Sequence, residues 1–261
     1  MKLEVVTREP QAKSEHSPLL FVHGSCHAAW CWAEHFLDYF AGHGYSCHAV
    51  SLRGHGRSEG GAHLRWASVK DYVSDVAQIA TRLPGPPVLI GHSLGGLVVQ
   101  KYLEEHTAPA AILLAPSPAL GMFIEGFHLF LKRPLLFARL LLTLNVRTVY
   151  STPALAREML FSADMEMEKV EKYAGLFGEE SFRAALDMMF SLPKPARVKS
   201  PLLVLGGAND VVVRPRAIEQ TGRAYQASFK IFPNMAHDMM LEDGWEAVAQ
   251  YILEWLKTKN I

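Results

Sequence analysis

A chain of 261 residues with 49% hydrophobic content can bury one large core without disulfide or metal staples. Lysine plus arginine and aspartate plus glutamate each number 26, so the formal charge is zero and there is no general field for nucleic acid or an acidic surface. The three cysteines, Cys26, Cys31 and Cys47, are an odd number without C-x-x-C spacing, which fits reduced thiols in a cytoplasmic protein.

Met1 to Pro10 is charged and β-prone, so no secretory signal is expected. Lys2 to Thr7 alternates like an edge strand. Leu19 to Val22 and Cys47 to Leu52 read as short buried strands, with a helix from Trp30 to His43 between them. A second helix is expected from about Val69 to Leu83, where Val69, Tyr72, Val73, Val76 and Ile79 recur at helical spacing before Pro84 to Pro87 ends it. A strand follows to Ile90, then a helix through Leu97 to Leu103. Ala111 to Ala115, Pro201 to Leu205 and Ser228 to Phe232 give further strands. Strands alternating with helices imply an α/β fold with a mostly parallel, doubly wound sheet covered on both faces.

Between Pro116 and Pro195 the alternation stops. Short helical stretches rich in Leu, Phe and Met are bounded there by prolines and glycines. This predicts a core domain of residues 1–115 and 196–261 with a helical cap, 116–195, inserted over the carboxyl ends of the strands, where open α/β sheets bind ligands. Most of its apolar side chains serve packing. Phe123, Phe127, Leu131, Met159 and Met188, with His23 of the core, are the candidates for the pocket wall. The most hydrophobic part, Phe127 to Leu144, is interrupted by Lys132, Arg133, Pro134 and Arg139, so no transmembrane segment is expected and its apolar content needs another explanation.

The chemistry centres on Gly91-His92-Ser93-Leu94-Gly95, a G-x-S-x-G pentapeptide directly after a strand and before a helix. A serine hydroxyl is a poor nucleophile at neutral pH, so it must be held exposed beside a base and near oxyanion donors. A tight strand-to-helix turn at Ser93 meets that need, and chain order then requires an acid and a histidine downstream. Asp210 lies at the end of a buried strand in a Gly-rich loop and is the expected orienting acid. The other common position, after Ala115, holds Pro116, Ser117 and Pro118 and no carboxylate. Of twelve histidines, only His106, His128 and His237 follow the elbow, and His237 alone sits in a loop between the last strand and the final helix. His237 is the expected base. Asp238 and Asp243 rank below Asp210, Asp243 as the cap of a helix beginning near Trp245. The loop His23-Gly24-Ser25-Cys26 follows a strand and can bring the Ser25 amide beside that of Leu94 as an oxyanion hole. His23 and His27 are expected to brace that loop, since no H-E-x-x-H or cysteine-rich zinc spacing exists.

With these residues the chain resembles the α/β-hydrolase superfamily over nearly its full length, in the form of a capped serine hydrolase. Arg53-Gly54-His55-Gly56-Arg57-Ser58 is similar to the R-G-x-G-x-S loop of capped members, with Ser51 where an aspartate is common, and Ala236 stands where a glycine often precedes the histidine. His23 to Trp32 resembles the loop of plant methylesterases and hydroxynitrile lyases. Those lyases carry a lysine after the catalytic histidine, whereas this chain has Asp238, which argues against cyanohydrin cleavage. Ser93 likewise departs from the elbow aspartate of dehalogenases and epoxide hydrolases. The resemblance implies hydrolysis of a carboxylic ester with an apolar acyl or aromatic part through Ser93, Asp210 and His237, with no cofactor or metal. The same machinery would serve a thioesterase or lactonase, and a ligand-binding or signalling protein on this scaffold is the alternative from another class.

Overall fold

The computed structural model describes residues 1–12 and 14–261, the side chain of Leu129 excepted. Among them the strands are β1 (Val5–Arg8), β2 (Leu19–Val22), β3 (Cys47–Val50), β4 (Val88–His92), β5 (Ala111–Leu114), β6 (Leu202–Gly207) and β7 (Ser228–Phe232). They form one sheet in the order β1-β3-β2-β4-β5-β6-β7. β1 pairs antiparallel with β3, and the other neighbours are parallel. The five consecutive strands from β3 across to β6 are fully buried along their length, which explains their unbroken apolar runs.

The helices are α1 (Trp30–Ala33), α2 (Phe36–Gly42), α3 (Val69–Ala80), α4 (Ser93–Tyr102), α5 (Phe123–Lys132), α6 (Pro134–Thr143), α7 (Pro153–Leu160), α8 (Met167–Ala174), α9 (Phe182–Phe190), α10 (Pro215–Ala224) and α11 (Trp245–Thr258). Because side chains alternate along a strand, β2 divides its residues between two cores. Leu19 and Phe21 join Trp32, Phe36, Phe40 and Ile252 on one face, while Leu20 and Val22 join Tyr72, Val76 and Val98 on the other. Truncating a ring such as Trp32 or Phe36 to alanine would remove about 3–5 kcal/mol.

Several predicted elements differ in extent, and three of them show why. The helix expected over Trp30 to His43 is broken into α1 and α2 at His35, whose backbone is non-helical (φ −142°, ψ −53°) and whose ring stacks on Trp245 with centroids 4.6 Å apart. β1 starts at Val5 instead of Lys2, because Val5 pairs with Val50, the last residue of β3, and the amides of Lys2 and Glu4 turn to Glu59 and Ser58. α3 starts at the predicted place, fixed by a reciprocal cap in which the Asp71 amide donates to Ser68 Oγ and the Ser68 amide to Asp71 Oδ2. It ends at Ala80, and a turn carries the chain to the prolines.

The order of strands places the switch in chain direction between β2 and β4, since β3 lies on one side of β2 and β4 on the other. Val22 pairs with Gly91, so the loop after β2 and the turn after β4 leave the sheet side by side. Between β5 and β6 the chain runs through α5 to α9. Among the described residues no helix is long and apolar enough to cross a membrane.

Candidate active site

Ser93 is the first residue of α4 and has a left-handed backbone, φ +51°, which a β-carbon makes costly outside glycine. Two glycines make this turn possible. A β-carbon on Gly91 would stand 2.6 Å from the Gly95 carbonyl oxygen, and one on Gly95 would stand 2.4 Å from the carbonyl oxygens of both Val22 and His23. The turn therefore nests against the end of β2, with Ser93 raised above the sheet.

Asp210 and His237 reach the same point from β6 and from the loop after β7. His237 Nε2 lies 3.0 Å from Ser93 Oγ, and His237 Nδ1 lies 2.7 Å from Asp210 Oδ2. The second oxygen of Asp210 accepts the amides of Val212 and Val213, both at 2.8 Å, which fixes the carboxylate plane. A carboxylate can only accept, so Nδ1 carries the proton and Nε2 presents a lone pair to the serine hydroxyl. Burial pulls the His237 imidazole toward its neutral form, yet the Asp210 charge and hydrogen bond outweigh it and raise the pKa above 6.5.

The loop after β2 lies against this turn, since a β-carbon on Gly24 would come within 3.0 Å of Ser93 Cβ. Ser25 and Leu94 thus belong to the two backbone segments that flank Ser93. His23 is a correction to the predicted pocket wall. It has no exposed surface, accepts the Leu52 amide at Nε2 (3.0 Å) and therefore donates from Nδ1 to the Gly24 carbonyl (2.8 Å), so it braces the loop. Cys26, next to Ser25, has φ +63° and is held at both ends: its amide donates to Glu180 Oε2 at 3.3 Å, and its carbonyl accepts the Gly178 amide at 2.8 Å. Glu180 is buried and also accepts Tyr72 Oη (2.7 Å) and the Ser181 amide (2.6 Å), with His55 Nε2 at 3.3 Å. Burial pushes its carboxyl up, but the His55 charge and these donors leave it below its ordinary range.

A second buried network borders His237. Asp238 Oδ2 meets His27 Nε2 at 3.0 Å, and His27 Nδ1 lies 2.7 Å from the Ser25 carbonyl. His92 Nε2 donates to the His237 carbonyl at 3.1 Å; burial, then the nearby His237, lowers its pKa to about 3, so it is neutral. His92, His237 and Asp238 are close enough to ligate a metal, but His237 already commits both ring nitrogens to Ser93 and Asp210, and coordination through it would dismantle that chain. Glu242 Oε1 accepts the amides of Ser162 (2.7 Å) and Ala236 (3.3 Å), tying the His237 loop to the end of α7. Asp243, expected as a helix cap, instead accepts Lys169 Nζ at 2.6 Å, and Gly244 precedes α11.

The remaining pocket candidates separate. Met159 is buried in the core cluster with Phe161 and Tyr173, and Met188 packs half-buried against the cluster of Leu94 and Val98. Phe123, Phe127 and Leu131 are more than half exposed on α5. Sequence reasoning missed Glu180 and Glu242, and it weighed Asp238 only as a rival acid, not as the partner of His27. No local motif marks them, because their partners lie far along the chain.

The sheet order, the elbow and the three linked side chains define a hydrolase-type α/β scaffold, and residues 19–251 match the model of the alpha/beta hydrolase family. The chain belongs to that family. It is 32% identical over 114 residues to the pyrethroid hydrolase of Sphingobium wenxiniae, covering 42% of this chain and 40% of that protein. Methylesterase 3 of Arabidopsis thaliana is 35% identical over 88 residues, 33% of each chain. The match thus spans less than half the length of either relative. The crystal structure of the Paleococcus ferrophilus monoacylglycerol lipase superposes with a TM-score of 0.74 at 22% identity, covering 99% of this chain and 100% of that one.

Proposed function

We propose that this protein hydrolyses carboxylic esters through an acyl-enzyme formed on Ser93. The observation that carries the reading is the continuous hydrogen-bonded line Ser93 Oγ, His237 Nε2, His237 Nδ1, Asp210 Oδ2, at 3.0 and 2.7 Å. His237 takes the serine proton as Oγ attacks the ester carbonyl and then hands it to the departing alkoxide. The imidazolium that exists between these two transfers is stabilised by Asp210. The amides of Ser25 and Leu94 are assigned to the oxyanion, where one such donor is worth roughly a hundredfold or more in rate. Water activated by the same histidine then releases the acid. The named activities of the two relatives, a pyrethroid hydrolase and a methylesterase, support an ester substrate. Residues 116–195 are assigned to a cap over the strand ends, supported by the contact of Glu180 and Gly178 with the loop after β2.

Turnover of a panel of carboxylic esters, thioesters, lactones and amides by the wild type and Ser93→Ala tests the reading. Ester hydrolysis should fall by at least about a thousandfold in the variant. No ester turnover by the wild type, or turnover retained in Ser93→Ala, would overturn it. A preference for thioesters or lactones would keep the nucleophile and change the substrate.

A further inference from the structure

Helix α5 turns its amphipathic face the wrong way round for packing onto a core, and α6 carries leucines on its outer side as well as its inner one. On α5 the polar residues point inward: Glu125 accepts Arg214 Nε at 2.7 Å, and His128 Nε2 lies 2.9 Å from Arg214 Nη1. The opposite face carries Phe123, Phe127 and Leu131, exposed by 63%, 52% and 60%. On α6, Leu136 and Leu140 pack against the core cluster, while Leu135 and Leu142 are exposed by 86% and 85%. The spacings 123, 127, 131 and 135, 142 each follow one stripe of a helix. Large contiguous apolar patches on a protein surface mark a partner.

Charge identifies the partner. Across residues 120–145 the sole acidic side chain is Glu125, which is buried against Arg214, whereas Lys132, Arg133 and Arg139 are exposed. These three cations rim an open recess of about 470 Å³ whose other walls include Leu135, Leu136 and Leu155. Arg133 also pairs with Glu158. Exposed leucines and phenylalanines bordered by cations suit a helix lying at the boundary of headgroups and acyl chains. The cations add attraction to anionic lipids although the whole chain is neutral.

We propose that the α5–α6 face is a docking surface for an anionic lipid membrane, with Leu135 and Leu142 entering the interface and Lys132 and Arg139 contacting lipid phosphates. The docking needs no turnover, so it stands or falls separately from the esterase reading.

The test is co-sedimentation of the full chain with sucrose-loaded vesicles of phosphatidylcholine alone, or with about a third phosphatidylglycerol. Wild type and Ser93→Ala should bind the mixed vesicles equally, and at least about tenfold more strongly than the neutral ones, with binding weakened by salt. Leu135→Ser/Leu142→Ser should weaken binding by more than about tenfold, and Lys132→Glu/Arg139→Glu by a similar factor on anionic vesicles alone. Both pairs of substitutions are at exposed positions, and circular dichroism melting checks that the variants fold. Absence of vesicle binding, equal binding to both vesicle types, or binding unchanged in folded variants overturns the proposal. So does a solution dimer that the leucine variant dissociates, since a second copy would then own this face.

Discussion

Replacing Glu242 by glutamine should stabilise the protein at alkaline pH and do so progressively less as pH falls. The Glu242 carboxyl is buried, and burial raises its pKa from 4.5 to about 7 against the pull of the Ser162 and Ala236 donors. Between those two values the folded protein holds a proton that the unfolded chain has released, so stability declines as pH rises. The interval corresponds to about 3 kcal/mol, at 1.36 kcal/mol per pH decade, as an upper value. Glutamine keeps an oxygen for both amides and carries no charge, so it escapes the decline. Groups common to both proteins, His55 and His237 among them, cancel in the difference. Urea denaturation of wild type and Glu242→Gln at pH 4.5 and pH 8 measures it. The variant's advantage should be larger at pH 8 by at least about 1 kcal/mol. A difference in stability independent of pH would refute the reasoning.

Asp210→Asn removes the charge that raises the His237 pKa, so kcat should fall by about four orders of magnitude, the loss expected when a triad carboxylate is neutralised. The acid limb of the residual kcat/KM profile should move to lower pH than in the wild type, where the raised pKa places it above 6.5; an unmoved limb would contradict the assignment. Glu180→Gln loosens the clamp on Cys26 and should lower kcat by about tenfold or more with little change in KM, as expected when an oxyanion donor shifts by a fraction of an ångström. Steady-state kinetics beside a thermal melt checks this, and an unchanged kcat in a folded variant removes Glu180 from the positioning role.

The core was legible because its signals are local. Val88 to Ile90 reads as a buried strand, and the glycine at 91 is demanded by a backbone approach within a few residues, while the one at 95 answers to the Val22 and His23 carbonyls at the end of β2. Asp210 and His237 were legible through order along the chain, and the structure brings both to Ser93. The supporting residues were not. Glu180 meets Cys26 across 154 positions and Asp238 meets His27 across 211, and neither partner leaves a periodic trace. Helices α5 and α6 show the other limit of sequence. Periodicity reveals that Phe123, Phe127 and Leu131 share a face, but a hydrophobic face is ordinarily assigned to the interior. The inward pull of the Glu125–Arg214 pair, made across 89 positions, reverses that assignment.

Labelling with a fluorophosphonate followed by peptide mass spectrometry addresses the nucleophile most directly, since only a serine activated by its base reacts quickly. A single adduct should appear on the peptide containing Ser93, be absent from Ser93→Ala, and form far more slowly in His237→Ala. An adduct on another serine, or no adduct on the folded wild type, would contradict the account.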